Sequence, residues 1–235
     1  RRKKEEVLDL PPKIYTTEYV ELTRKQRILY KEIRQGIVDN LENILEIPNP
    51  LSCTVRLRQL TGGVFGNDNP KLERVKDMLE EITESGHKAL IFSQWEQVTS
   101  VYKEALKTYN PAYIVGAVDP EDRQKEVDRF QNDPTCKVAI GTIGAMGTGL
   151  TMTAASYVFF VDKRYWDAEN KQAEDRAHRI GTTNTVNVVS LVATNTVDEG
   201  IEEMLRDNKA LFDRVVEGKG SRVDVGEILR KILQY

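Results

Sequence analysis

The sequence contains only two cysteines, Cys53 and Cys136, and only two histidines, His87 and His178. A structural zinc site needs four ligands at characteristic close spacings, and these four residues do not have such spacings. We therefore expect reduced thiols and no metal site. His87 is expected at the surface before a strand, and His178 lies among charged residues that it can orient.

Long apolar runs are also lacking, since no stretch approaches the length of about eighteen residues that a membrane-spanning helix needs. The basic start Arg1–Lys4 leads into Glu5 and Glu6 rather than into the apolar core of a signal peptide. These absences predict an intracellular protein without membrane contact, in the cytoplasm of a prokaryote or its virus or in a nucleus. The net charge of -3 has the wrong sign for a protein that coats nucleic acid, so any DNA contact must come from a local strip.

Residues 1–70 differ in pattern from the rest of the 235-residue chain, of which 40% is hydrophobic. Lys13–Leu22 alternates like a short strand, and Thr23 opens an amphipathic stretch that predicts one long helix. The apolar positions of that helix are Ile28, Ile33, Ile37, Leu41 and Ile44. A second helix is predicted at Leu51–Leu60. We expect residues 1–70 to form a linker and a small helical appendage.

Residues 71–235 alternate between short apolar runs and helical patterns. The apolar runs are Lys88–Phe92, Ala112–Val115, Lys137–Ile140, Tyr157–Val161 and Val186–Val192. The helical patterns are Val98–Tyr109, Asp119–Gln131, Asp167–Ile180, a long segment from near Thr196 and a final helix at Val223–Tyr235. Continuous apolar strands separated by helices are typical of a parallel sheet covered on both faces. The predicted fold is α/β, an open parallel sheet with helices on both faces, preceded by the appendage. Ligands of such sheets bind beyond the carboxyl ends of the strands.

One predicted helix, containing Gln172–Gly181, carries two arginines. Its small and apolar residues form a seam that should face the sheet: Ala173, Ala177 and Ile180. Gln172, Arg176 and Arg179 share a neighbouring face. Two arginines three residues apart repel each other, and a phosphate between them replaces this repulsion with charge-assisted hydrogen bonds.

The same spacing has a second interpretation, a solvated helix face stabilised by ion pairs. Asp175 would then pair with Arg179, and Glu174 with His178. Spacing alone leaves both interpretations open.

Glycines recur after the predicted strand Lys137–Ile140, at Gly141, Gly144, Gly147 and Gly149. Because glycine has no Cβ, another backbone can approach closely here, and a phosphate track is a natural partner. The alternative is that these glycines only turn the chain between strand and helix. No Lys-Ser or Lys-Thr follows them, so the loop is not a nucleotide P-loop.

Two further segments follow predicted strands. Asp162–Trp166 combines two cations with two aromatic residues, which suits a phosphate backbone together with a groove or base contact. A single tryptophan after a strand more often packs within the protein, and contact of Trp166 with DNA is the alternative. Ser93 and Gln94 can donate hydrogen bonds to phosphate, whereas Trp95 is assigned to packing.

Taken in chain order, these segments resemble the motifs of the Swi/Snf-type branch of superfamily-two ATPases. Gln172–Gly181 resembles the final helicase motif of that family, and Ala89–Trp95 is similar to the first strand and turn of its second lobe. The other matching segments are Gly116 with Arg123 and Phe130, Gly141-Thr142 with Gly147–Ala155 as the glycine-rich loop, and Arg1–Lys13 with Leu57–Leu60 as the segment that joins the lobes. The likeness covers nearly the whole chain.

The resemblance implies a RecA-like second lobe in which Arg176 and Arg179 are arginine fingers for the γ-phosphate of ATP. Gln172 is expected to hold the phosphate end or to couple it to the glycine-rich loop, and Asp175 to orient the arginines. The other residues expected on the cofactor side are Gly147 and Gly149. The expected DNA contacts are Ser93, Gln94, Arg123, Thr142, Gly144 and Trp166. The chain departs from the family pattern at Gly144, where many members carry arginine, and at Thr151, where they carry asparagine, so one expected cationic contact with DNA is missing.

The sequence has no Gly-x-x-x-x-Gly-Lys-Ser/Thr motif and no strand that ends in an Asp-Glu pair, because Asp198-Glu199 begins a predicted helix. We therefore expect ATP and Mg²⁺ to be held mainly by a first RecA-like lobe of the same polypeptide, upstream of Arg1. The chain alone is not expected to hydrolyse ATP. The intact protein is expected to be a monomeric ATPase that translocates on double-stranded DNA.

Two questions remain open at the level of sequence. The turn Ala145–Met152 and the segment Val192–Asp198 resemble the DNA-annealing and fork-remodelling branch more than nucleosome remodellers. The second hypothesis for function is a noncatalytic lobe that binds DNA or protein. The presence of Gln172, Arg176 and Arg179 together favours the motor, because a lobe released from catalysis has no physical need for two cations with the same aim.

Overall fold

The computed structural model describes residues 10–46, 50–65, 68–146, 149–182, 184–216 and 225–235. Within these ranges six strands form one sheet in the order β1-β6-β5-β2-β4-β3. The strands are β1 (Lys13–Val20), β2 (Lys88–Ser93), β3 (Ala112–Ile114), β4 (Val138–Thr142), β5 (Ala155–Phe160) and β6 (Val186–Ala193). The ladders that join β2 to β6 are parallel. β1 runs in the same direction as β6, because Val186 N donates to Pro12 O near the start of both strands and Thr194 N donates to Val20 O at their ends. The predicted α/β class with an open parallel sheet is confirmed.

Helices alternate with these strands as the sequence pattern predicts. They are α1 (Arg24–Asp39), α2 (Leu41–Glu46), α3 (Val55–Thr61), α4 (Pro70–Glu84), α5 (Glu96–Ala105), α6 (Pro120–Asn132), α7 (Ile143–Met146), α8 (Asp167–Glu174), α9 (Val197–Val216) and α10 (Val225–Ile232). Short 3₁₀ turns occupy Pro50–Thr54 and Lys107–Tyr109. In the described part of the chain, no helix combines the length and the apolar character that a membrane span requires.

The central strands β2, β4 and β5 are buried almost throughout, which explains their continuous apolar sequences. Ile91 in β2 lies opposite Ile140 in β4 and Phe159 in β5. The same register brings Ser93 and Thr142 side by side at the carboxyl ends of β2 and β4. Polar side chains therefore emerge together at the edge where ligands of parallel sheets bind.

The chain divides into two compact units. The first contains Arg1–Glu18, Leu72–Arg164 and Ala168–Leu191, and the second contains Tyr19–Lys71, Tyr165–Asp167 and Val192–Tyr235. The C-terminal segment thus clusters with the helical appendage. The predicted division into a linker with appendage (1–70) and a motor lobe (71–235) is a functional one and stays a prediction.

In the first unit the core consists of the strands and the helix faces that cover them. The rings of Phe92 and Phe160 stack with their centroids 5.4 Å apart. Ala173 and Ala177 belong to this core, as predicted. Ile180, the third member of the predicted seam, is 70% exposed, so that part of the prediction is wrong.

The predicted helix Asp167–Ile180 is also too long, because α8 ends at Glu174 and turns follow. The carbonyl oxygen of Arg176 accepts a hydrogen bond from Met152 N instead of continuing the helical ladder. The Thr182 hydroxyl donates to the carbonyl oxygen of Ala177. These tertiary bonds replace the next helical turn and carry Ile180 out of register with the two alanines.

In the second unit, α1 begins as predicted at Thr23, whose hydroxyl accepts from Gln26 N in a capping box. The predicted long helix is divided, because the Asn40 side chain donates to the Gly36 carbonyl and ends α1 before α2 begins. Tyr30 and Ile37 are buried on α1, whereas Ile28 is 53% exposed, so its predicted place in the apolar stripe is wrong.

A buried ion pair lies among the residues of the second unit. Lys71 Nζ lies 2.7 Å from Asp198 Oδ2, and their side chains are 1% and 7% exposed. Asp198 also accepts from the Thr61 hydroxyl and from Ala193 N, each at 3.1 Å. Asp198 stands in the first turn of α9, as expected for the start of a helix, and its carboxylate is satisfied within the protein.

Candidate functional site

An open cleft of about 450 Å³ lies in the first unit, beside the segments that follow β4 and β5. Its lining residues come from α8, the turn after it and the glycine-rich loop: Gly149, Ala168, Lys171, Gln172, Asp175, Arg176, Arg179 and Ile180. The predicted set Gln172, Arg176 and Arg179 is therefore brought together, although the arginines lie on a turn rather than on a helix. The exposed amide of Gln172 completes this group of donors.

Arg176 is the more buried of the two arginines, with 9% of its surface exposed. Its Nη1 donates to the carbonyl oxygen of Leu150 at 3.1 Å, and its Nε donates to that of Gln172 at 3.2 Å. Burial lowers the pKa of Arg176, and the neighbouring Arg179 lowers it further, while Asp175 acts in the opposite direction. A guanidinium still keeps its proton at neutral pH, so the cleft holds an immobilised positive charge.

Arg179 is exposed, and its Nη1 donates to the Thr151 hydroxyl at 3.0 Å. Thr151 is one of the positions at which the sequence departs from the pattern that it resembles. The hydroxyl oxygen of Thr151 gives Arg179 a neutral acceptor, just as the carbonyl of Leu150 does for Arg176. The loop after Gly149 thus orients both arginines.

The carboxylates beside the arginines are bound by a lysine from β1. Lys13 Nζ donates to Glu174 Oε2 and to Asp175 Oδ1, at 3.0 Å each, and the Tyr15 hydroxyl donates to Glu174 at 2.9 Å. Burial would lower the pKa of Lys13, but the two carboxylates outweigh burial and the net shift is upward. The two carboxylates therefore favour the protonated form of Lys13 in spite of its burial.

The alternative predicted from spacing, a helix face with ion pairs, included a pair between Glu174 and His178. Glu174 bonds Lys13 and Tyr15, and His178 Nε2 donates to the Pro11 carbonyl at 2.6 Å. The predicted pair between Glu174 and His178 is therefore wrong, because both groups are used by the segment that forms β1. This bond ties His178 to Pro11, and its predicted role in orienting the neighbouring charges stays a prediction.

Ser93 and Gln94, predicted DNA contacts, lie at the end of β2. The buried Ser93 hydroxyl donates to Asp162, and Gln94 N donates to the same carboxylate at 2.9 Å. A direct contact between the Ser93 side chain and a ligand requires that this bond be given up. Asp162, which sequence reasoning treated only as part of a mixed segment, therefore shapes this turn. A charge directly after an apolar strand was the signal that could have identified it.

Thr142 and Gly144 lie at the carboxyl end of β4. The Thr142 hydroxyl accepts from Ala145 N at 3.4 Å, and Gly144 is exposed beside the guanidinium of Arg164, whose Nη2 would lie 3.0 Å from an added Cβ. Position 141 requires glycine, because an added Cβ there would clash with the Ile114 carbonyl oxygen on β3. The close backbone approach predicted for these glycines is thus present at Gly141.

The other predicted residues are placed as follows. Gly149 is exposed and has a φ of 73°, a conformation that favours glycine, and Gly147 lies outside the described residues. Arg123 Nε donates to the Val118 carbonyl at 2.8 Å. Trp166 belongs to the second unit and is 61% exposed, so the packing alternative for its ring does not hold.

Comparison with known proteins identifies a helicase domain and related helicases. Residues 70–181 match the helicase conserved C-terminal domain. The chain is 33% identical over 239 residues to the human DNA annealing helicase and endonuclease ZRANB3, an alignment that covers 97% of this chain and 21% of that protein. It is 30% identical over 227 residues to an uncharacterized ATP-dependent helicase of Mycoplasma pneumoniae, covering 92% of this chain and 22% of that protein. The chain thus spans about a fifth of the length of these curated relatives.

A solved structure shows the same architecture. The SWI2/SNF2 ATPase core of Sulfolobus solfataricus in complex with double-stranded DNA superimposes with a TM-score of 0.74 at 26% identity, covering 98% of this chain and 52% of that one. The parallel sheet agrees with these likenesses. The chain belongs to the SWI2/SNF2-type family of helicase-like ATPases, as its C-terminal, RecA-like lobe.

Proposed function

We propose that this lobe is the second half of an ATP-dependent motor on double-stranded DNA, with Arg176 and Arg179 as its arginine fingers. The observation that carries the proposal is that both guanidinium groups line one open cleft and donate to neutral oxygens of Leu150 and Thr151. Neutral acceptors orient these cations without cancelling their charge. A bound anion suits this cleft, because it converts the repulsion between the arginines into attraction.

The terminal phosphate of ATP fits this site. Phosphoryl transfer spreads negative charge over the equatorial oxygens in the transition state, and planar guanidinium groups bind such oxygens well. Arg176 is held almost without solvent, so it needs little reorganisation when that charge develops. Arg179 and the amide of Gln172 are more exposed and can reach toward the phosphate. Asp175 already binds Lys13, so we assign Mg²⁺ and the remaining phosphates to a first lobe of the same polypeptide.

Contact with DNA is proposed for residues at two places in the chain. Thr142 and Gly144 stand at the carboxyl end of β4 in the first unit, and Trp166 is exposed in the second. Amides and hydroxyls suit backbone phosphates, and an aromatic face suits a groove or a base. The bound double-stranded DNA named for the Sulfolobus solfataricus core supports this assignment. The choice between the DNA-annealing branch and nucleosome remodellers stays a prediction.

The test uses the full-length protein that contains this lobe and the upstream lobe. We expect DNA-stimulated ATP hydrolysis, and we expect Arg179→Ala to lower kcat by about a thousandfold, the effect typical of a lost arginine finger. Arg206→Ala, at an exposed arginine of α9, is the matched control and should leave kcat unchanged. DNA affinity is measured beside kcat, because a finger acts on the transition state rather than on DNA binding.

If Arg179→Ala hydrolyses ATP at the wild-type rate with DNA present, the arginines are not fingers. If the full-length protein shows no ATP hydrolysis at all but the lobe binds DNA, the noncatalytic lobe replaces the motor.

A further inference from the structure

The turn that carries the arginines is fastened to the first described residues of the chain. Lys13 bridges Glu174 and Asp175 across 161 and 162 positions of sequence, and Tyr15 reaches Glu174 as well. Lys13 and Glu174 are 15% and 5% exposed, so water screens this pair only weakly. Such a contact is stronger than an ordinary surface ion pair.

The other end of the turn is held by the same segment. The Pro11 carbonyl accepts from His178 Nε2, and the Pro12 carbonyl accepts from Val186 N at the start of β6. Residues 11–15 therefore border the turn on both sides of Arg176. The position of β1 and the position of the arginines are coupled through these bonds.

The placement of the two carboxylates explains why a lysine is needed. Glu174 ends α8 and Asp175 follows it, at the helix end where the macrodipole disfavours negative charge. Asp175 and Arg179 lie in the turns that follow α8, and both line the cleft. Without Lys13, the Asp175 carboxylate of the same cleft would attract Arg179, and pairing would draw the guanidinium away from the Thr151 hydroxyl that it now contacts.

We propose that Lys13 is a positioning residue for the arginine pair: it occupies the Glu174 and Asp175 carboxylates and so keeps Arg179 directed into the cleft. This inference rests on the proposed function. Lys13 touches no reacting group itself and acts only through its partners. Because Lys13 lies on edge strand β1, any displacement of that strand reaches the arginines through this contact.

The test compares Lys13→Met with Lys13→Arg in the full-length protein. We expect Lys13→Met to lower kcat of DNA-stimulated ATP hydrolysis by about 10- to 100-fold, the effect of misplacing a catalytic group. KM for ATP and the Kd for DNA should stay within about twofold, since binding does not require the finger. Lys13→Arg should recover most of kcat. Lys76→Met, which breaks the exposed pair with Glu73, is the control and should behave like the wild type.

A double variant tests the competition directly. Adding Asp175→Asn to Lys13→Met removes the anion that captures Arg179, and part of kcat should return. If it does not, or if Lys13→Met keeps the wild-type kcat while Arg179→Ala loses it, the positioning role is wrong and the proposed function stands. A fall in kcat that Lys13→Arg fails to reverse, with an equal fall in Tm for both, means a purely structural lysine. Wild-type kcat in Arg179→Ala removes both proposals.

Discussion

Two lysines of this chain hold carboxylates in different surroundings. In the second unit, Lys71 and Asp198 are almost completely buried, and both oxygens of Asp198 have protein partners. In the first unit, Lys13 binds Asp175, which is 32% exposed, and a cleft lined by two arginines adjoins this pair. The comparison teaches that the first ion pair is closed within the protein, whereas the second lies beside a cleft that two further cations line, where we propose that a ligand binds.

The energetic reason lies in the state of the neighbouring groups. Removing one member of a closed, buried pair leaves a charge without water or partner, which destabilises the protein strongly. Removing one of two cations that face the same cleft relieves repulsion and costs little. Substitutions in the two regions should therefore have opposite profiles, with large losses of stability in one and large losses of activity in the other.

The largest effect on stability is expected for Lys71→Met. The variant leaves Asp198 charged and buried, and the free energy of unfolding should fall by about 3–5 kcal/mol. Urea unfolding of the wild type and the variant measures this difference. Lys231→Met, which removes a partly exposed partner of Asp207 and Glu203, is the matched control, with an expected loss of about 0–1 kcal/mol. Equal losses in both variants would contradict the comparison.

Tyr30→Phe is the next prediction for the second unit. The Tyr30 hydroxyl accepts from Val197 N at 2.7 Å in the core, so the variant strands a buried donor and should lose about 1–3 kcal/mol.

The same residue predicts a pH dependence. Burial raises the pKa of the Tyr30 phenol far above its usual range, the Val197 N–H opposes this shift, and Asp198 adds to it. The folded state thus keeps a proton that the unfolded chain releases. Stability from this group is complete below about pH 10 and is lost as the pH rises further. Unfolding at pH 8 to 11 should show a smaller alkaline decrease in Tyr30→Phe than in the wild type. Identical slopes would show that other groups, including Lys13 with its raised pKa, account for it.

Trp166 is the exposed aromatic that breaks the contrast, since it belongs to the otherwise structural second unit and is 61% exposed. Its ring stabilises little in the free protein, but a contact with DNA is worth about 1 kcal/mol or more. We expect Trp166→Ala to weaken binding of double-stranded DNA by about fivefold without a change in Tm. Fluorescence anisotropy with labelled DNA measures the affinity. Tyr19→Ala, at an aromatic residue 59% exposed in the same unit, is the control. A loss of Tm in Trp166→Ala would make the residue structural.

Much of the fold could be predicted because buried strands and helix starts leave patterns in short stretches of sequence. Strands such as β2 and β5 are short apolar runs, and Thr23 with Gln26 marks the start of α1. The two arginines of the cleft are also close in sequence, so their proximity could be predicted in the same way. Its placement in one cleft required only that the segment after β5 return to the sheet edge.

What could not be predicted depends on distant partners. The helix does not continue to Ile180, since Met152 N occupies the carbonyl oxygen of Arg176 that the next helical turn would use, and no local sequence pattern predicts that bond. The contact of Lys13 with Glu174 spans 161 positions, so β1 carried no sign of its role. Asp198 looked like a helix start, and only the structure shows that Lys71 neutralises it. Side-chain periodicity describes a helix and does not describe where tertiary bonds interrupt it.

The smallest expected effect on stability is also the most diagnostic for the cleft. Arg179 is exposed and repels Arg176, so Arg179→Ala should change the free energy of unfolding by only a few tenths of a kcal/mol. Inorganic phosphate should raise Tm of the wild type through binding to the folded state, and it should raise Tm of Arg179→Ala less. Arg206→Ala should respond to phosphate like the wild type. A loss of more than about 1 kcal/mol in Arg179→Ala, beyond the usual range for a surface substitution, would place this arginine with Lys71 as part of the fold. The cleft would then lose the unbalanced charge on which its proposed role depends.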